Sequence, residues 1–162
     1  MGYLPIILAL LGFLFLWTIV NYQSIRISKN EVSQAIDDIF KKAAARNQAL
    51  KDLSQKATEE DASSEILAFI RRKLDEQTDE RLPLAKKLEK EMHLDELMGD
   101  IPPPSEHTAY EEAYQRLEKV HKQYRQSVAS YRKRVRDYNE LISKNPSRLV
   151  ASLAGFSPIK KV

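Results

Sequence analysis

The chain has 162 residues, with 26 Lys plus Arg, 23 Asp plus Glu and no cysteine. That length holds one membrane anchor and one modest domain, and a net charge of +3 with the two signs interleaved is not the one-sided basic surface of a nucleic-acid binder. Without cysteine there are no disulfides, zinc thiolates or cysteine nucleophiles, and 4 scattered glycines cannot build a phosphate-binding loop.

Tyr3 to Val20, "YLPIILALLGFLFLWTIV", carries no charge over 18 residues. At ~1.5 Å per residue it covers ~27 Å, near the ~30 Å of bilayer hydrocarbon. Tyr3, Trp17 and Tyr22 stand near its ends, where amphipathic rings favour the interface. No Lys or Arg precedes the run and no small-x-small site follows it, so a retained anchor over residues 1–25 is expected rather than a cleaved signal. Arg26, Lys29, Lys41, Lys42 and Arg46 follow the run, which predicts N-terminus outside and C-terminal side in the cytoplasm.

Between Gly12 and Pro83 there is neither glycine nor proline, so the anchor is expected to continue as one helix to about "ATEEDASS". Val32, Ile36, Ile39, Ala43, Arg46, Leu50 and Leu53 are spaced alternately by four and three, a heptad seam of coiled-coil type. Arg46 is the anomaly in it. Either its guanidinium snorkels to water, or it meets tyrosine hydroxyls or a carboxylate of a facing helix; the spacing favours neither.

"SSEILAFIRRKLDEQ" starts a second helix with Ile66, Phe69, Ile70 and Leu74 on one side, and Pro83 predicts a kink or restart near Thr78. Leu84, Leu88, Met92 and Leu97 continue the apolar face, with Gly99 as its stop. Residues 99–107 contain three consecutive prolines and form a loop. Thr108 and Glu111 make a capping-box signature for the next helix.

That helix is expected from about Ala109 to Lys144. Its seam is Tyr110, Tyr114, Leu117, His121, Tyr124, Val128, Tyr131, Val135, Tyr138 and Ile142, again spaced by four and three without a break. Tyrosine is large and tolerates a polar pocket or a bundle edge, so packing explains this stripe better than a recognition surface does. Asn145 and Pro146 fit an N-cap and first position of a short helix. Leu149, Val150, Leu153 and Phe156 would share its face, with Gly155 and Pro158 closing it. Docking on the rest of the protein is favoured over a membrane-surface helix assisted by Lys160 and Lys161. The expected fold is therefore all-α: an N-terminal transmembrane helix plus an antiparallel bundle of three long helices and a short C-terminal helix.

Glu118 and His121 have the Glu-x-x-His spacing of di-metal carboxylate bundles. Lys90 and Pro104 stand where a second glutamate would be needed before His93 and His107. A metal-dependent enzyme is thus a remote alternative, and no catalytic residue or cofactor is assigned.

"YRKRVRDYNELISKNPSRLVASLAGF" resembles the C-terminal signature of the LemA family through Tyr131, Asp137, Tyr138, Asn139, Pro146, Ala151, Gly155 and Phe156. "NEVSQAIDDIFKKAAARNQALKDL" is similar to that family's first soluble helix through Asn30, Val32, Ala35, Ile39, Arg46 and Leu53. Arg132, Asn145, Phe40 and Lys51 depart from the pattern. The resemblance implies a single-pass protein of the bacterial inner membrane with a cytoplasmic helical-bundle domain over residues 26–162. It implies membrane lipid, and protein partners or further copies of the chain, as contacts. The family has no established reaction; membrane-linked scaffolding and envelope maintenance are the roles it implies, while the C-terminal apolar helix itself leaves a lipid-binding or membrane-shaping module as the alternative.

Overall fold

The computed structural model describes residues 3–59, 65–76, 83–101, 103–104 and 109–160. Among them every regular element is helical: α1 (Leu4–Glu59), α2 (Glu65–Glu76), α3 (Leu84–Leu97), a 3-10 turn (Met98–Asp100), α4 (Ala109–Ser143) and α5 (Ser147–Leu153). The chain divides into two compact units, residues 1–37 with 129–161, and residues 38–128.

In the first unit, the apolar start of α1 is long and apolar enough to cross a membrane, and none of that window is buried by the protein. Leu4, Ile6, Leu8, Leu10, Phe13 and Phe15 are all more than half exposed. The polar side chains near its end are satisfied one turn back: Thr18 Oγ1 donates to the Leu14 carbonyl and Asn21 Nδ2 to that of Trp17, both at 2.8 Å. A helix in hydrocarbon must meet its polar groups internally in this way. From Ile25 onward the pattern changes: Ile25, Val32 and Ala35 are buried, as are Tyr131, Val135, Tyr138 and Ile142 of α4.

α4 stops at Ser143, and a cis Asn145–Pro146 peptide precedes α5. Pro146 itself takes the cap position, one residue later than the sequence suggests. The buried face of α5 is Ser147, Val150 and Ala151. This corrects the expected face: Leu149 and Leu153 are 62% and 88% exposed. The helix ends in a Schellman turn, with Phe156 N–H donating to the Ala151 carbonyl at 2.9 Å and Gly155 N–H to that of Ser152 at 3.5 Å. Gly155 adopts φ 72°, where a Cβ would be strained, so it is the required stop.

The second unit is organised around a cluster of Leu50, Leu53, Ala57, Leu67, Ile70, Leu74, Leu94, Ile101, Tyr110, Ala113 and Leu117. The α1 seam behaves as its spacing predicts, with Ile39, Ala43, Arg46, Leu50 and Leu53 all buried. On α2 the expected face is rotated: Leu67 joins Ile70 and Leu74 inside, while Phe69 is exposed with Arg72 and Lys73 near its ring. α3 ends at Leu97, just before Gly99 as expected, but through a 3-10 turn that contains Gly99, and the chain becomes extended at Ile101. A tightened last turn satisfies terminal carbonyls by shorter-range bonds. The expected kink near Thr78 and the Thr108 cap lie outside the described residues.

Candidate functional sites

Two clusters of the singled-out residues emerge, one in each unit. In the second unit Arg46, in the middle of α1, is fully buried. Its Nη2 donates to Glu91 Oε2 of α3 at 2.5 Å and its Nη1 to the Glu91 carbonyl at 3.4 Å. Nε and Nη2 also donate to Asn47 Oδ1, and Asn47 Nδ2 donates in turn to Glu91 Oε1 at 3.3 Å. The planar guanidinium lies over the Tyr124 ring of α4, 4.2 Å from its centroid. A desolvated cation on an aromatic face gains about 2 kcal/mol. Of the two readings of Arg46, snorkelling to water is excluded, and the carboxylate of a facing helix is the partner found. Tyr124 offers its ring face, and its buried hydroxyl has no hydrogen-bond partner among the described residues.

Burial pushes the Glu91 carboxyl above its usual range, outweighing the opposing pull of Arg46 and Asn47. Beside it on the same helix, Asp95 Oδ1 stands 3.5 Å from His121 Nδ1. Both atoms are buried and neither makes a hydrogen bond among the described residues. Burial lowers the His121 pKa against the attraction of Asp95, and Arg46 and Arg125 lower it further. Such a cluster can hold helix register through the Arg46–Glu91 pair and take up a proton at His121. Glu118, by contrast, is exposed, and among the described residues no three His, Asp or Glu side chains converge as a metal site. His93 is exposed and pairs with Glu96 on its own helix; His107 lies outside the described residues.

The His121 environment fixes the sign of a pH effect. A histidine whose folded pKa is lowered binds fewer protons folded than unfolded, so stability falls as the pH drops through about 6.5. His121→Gln is expected to flatten that slope in urea denaturation followed by circular dichroism. An unchanged slope between pH 7 and 6 would assign the effect elsewhere.

In the first unit the C-terminal signature residues gather at one place. Tyr138 Oη donates to the Ser157 carbonyl at 3.2 Å. The Asn139 side chain grips the Ile159 backbone in both directions, Nδ2 donating to its carbonyl at 2.8 Å and Oδ1 accepting its N–H at 2.9 Å. Phe156 packs 5.7 Å from the Tyr22 ring, with Lys29 Nζ over the Phe156 ring 5.5 Å from its centroid. Ser147 Oγ donates to Asn21 Oδ1 at 3.1 Å. Tyr138, Asn139, Gly155 and Phe156 therefore form a latch that folds the tail back along α4 and α1. Tyr131 is buried in the same unit, its phenol raised in pKa by desolvation as is that of Tyr138. Pro146 is exposed at the junction, and Asn30 is exposed on α1.

Asn139→Leu deletes both bonds to Ile159. At about 0.5–1.5 kcal/mol net per bond, the tail should lose about 1–3 kcal/mol of local stability, read as faster hydrogen exchange at the Ile159 amide. Equal exchange in both proteins would mean that the clamp does not hold the tail.

The sequence did not reveal Glu91, Asp95 or Asn47 as partners. One signal was available: Glu91 follows Leu88 by three positions and Asp95 follows Glu91 by four, so both lie next to the apolar face of α3. No family model matches the chain, and no curated protein and no solved structure matches it.

Proposed function

We propose that this protein is a membrane-anchored scaffold, a divergent LemA-like protein whose helices form an antiparallel bundle beside a single transmembrane span. In this reading the anchor sits in the bacterial inner membrane with its N-terminus outside and the bundle in the cytoplasm, and the bundle recruits other proteins or further copies of itself. The observation that carries it is the change of character along α1. Its first part exposes leucine, isoleucine and phenylalanine on every side, as lipid contact requires, and from Ile25 it buries a single stripe, as protein contact requires. The basic residues that follow the apolar run, Arg26 and Lys29 first, support the cytoplasmic placement. The signature residues Tyr138, Asn139, Gly155 and Phe156 share one latch, which supports the family likeness. No catalytic group is invoked.

The absence of cysteine makes the test direct. Tyr3→Cys should react with a membrane-impermeant maleimide in intact spheroplasts, and Ser130→Cys only after lysis; the reverse pattern inverts the topology. Cross-linking in intact membranes at native expression should give discrete higher-mass species. A monomer with no partner would sink the scaffold.

A further inference from the structure

α5 is held at the end of the apolar run. Its first residue, Ser147, hydrogen-bonds Asn21, the residue immediately after Val20. Phe156, just past its C-terminus, packs on Tyr22. With Val150 and Ala151 turned inward, the helix has spent its small apolar residues on the protein. Leu149 and Leu153, four apart and so on one face, are left in the open at 62% and 88% exposure. Arg148, the residue just before Leu149, is exposed, and Arg26, Lys29 and Lys160 are exposed in the same unit. If α1 spans a bilayer, Asn21 lies where hydrocarbon gives way to headgroups, and α5 lies beside it.

We propose that α5 is an interfacial lipid-contact helix: Leu149 and Leu153 enter the headgroup–acyl boundary of the leaflet from which α1 emerges, and Arg148 sits among anionic phosphates. Two leucines and a cation are the elements of interfacial binding. Seven residues are too few to hold a membrane alone, and the Asn21 and Tyr22 contacts remove that need by keeping the helix at the surface. The proposal rests on α1 being a transmembrane anchor. It goes beyond the scaffold reading by giving a second, peripheral contact between the protein and lipid. It also accounts for two leucines that the protein leaves uncovered while it buries the Val150 and Ala151 between them.

The test uses the full chain reconstituted in phosphatidylcholine vesicles with phosphatidylglycerol. Single cysteines replacing Leu149, Leu153, Lys133 and Leu11 carry an environment-sensitive fluorophore; lipid spin labels near the headgroup quench the first three, and a spin label deep on the acyl chain reports position 11. Labels at 149 and 153 should be quenched several-fold more than the label at 133, an exposed position on α4. Arg148→Gln should reduce that quenching in the anionic vesicles and leave it unchanged in phosphatidylcholine alone. Quenching at 11 but not at 149 or 153 overturns the lipid-contact helix while leaving the anchor intact. Loss of quenching at 11 overturns the anchor itself. Self-quenching between labels at 153 that disappears on dilution with unlabelled protein assigns the face to a second copy and also overturns the proposal.

Discussion

Replacing Arg46 by alanine is expected to destabilise the second unit by about 3–5 kcal/mol, because it leaves the half-buried Glu91 carboxylate without its cation. The loss has further parts: the cation–π contact with Tyr124 disappears, and Asn47 loses the donors that hold its carbonyl. The measurement is the urea midpoint of the detergent-solubilised full chain, followed by circular dichroism. The companion variants separate pairing from packing. Arg46→Met with Glu91→Met removes both charges and keeps the volume, so it should recover most of the loss or exceed the parent. Arg46→Lys should recover only part, since an ammonium cannot lie flat on the Tyr124 ring while bonding two acceptors. Tyr124→Phe keeps the ring face and deletes a hydroxyl that makes no hydrogen bond among the described residues, so it should be neutral or slightly stabilising. An Arg46→Ala protein that unfolds at the parent midpoint would refute the buried pair.

The second large effect lies in the apolar run proposed to span the membrane. Twelve Leu, Ile, Phe or Val side chains between Tyr3 and Val20 favour insertion by about 0.3–0.6 kcal/mol each. Leu10→Arg with Leu14→Arg removes two of them and adds two charges near the middle of the run, at about 2.5–3.5 kcal/mol each. The sum, about 6–8 kcal/mol, matches or exceeds the whole favourable contribution. The protein should move from the carbonate-resistant membrane pellet to the supernatant, while Leu10→Ala with Leu14→Ala stays in the pellet. Retention of the double-arginine chain in the pellet would mean that residues 4–20 do not span.

Much of the architecture was legible from spacing. The four-three alternation from Val32 to Leu53 and from Tyr110 to Ile142 marks the inward stripes of α1 and α4, and only Ile36, Tyr114, His121 and Val128 in those seams are half-buried rather than buried. Long seams average over local error. Short elements do not, which is why the inward faces of α2 and α5 differ from those their spacing suggests. With apolar residues adjacent in sequence over about two to three turns, Phe69 and Leu67 in α2, or Leu153 and Ala151 in α5, are equally consistent with one inward stripe. What lies opposite decides which is buried.

The sequence by itself determined the uncharged run, the long breaker-free helices, the two seams and the stop at Gly155, because each is a local consequence of side-chain transfer energy, helical period or backbone sterics. Only the tertiary structure decided that Arg46 pairs with Glu91 across 45 positions, that Asn139 grips Ile159, and that Ser147 returns to Asn21 across 126. Those partners are chosen by which helix face arrives opposite, and no local pattern encodes that. The same holds for Leu149 and Leu153: their apolarity was visible in the sequence, and their exposure follows from how Val150 and Ala151 dock.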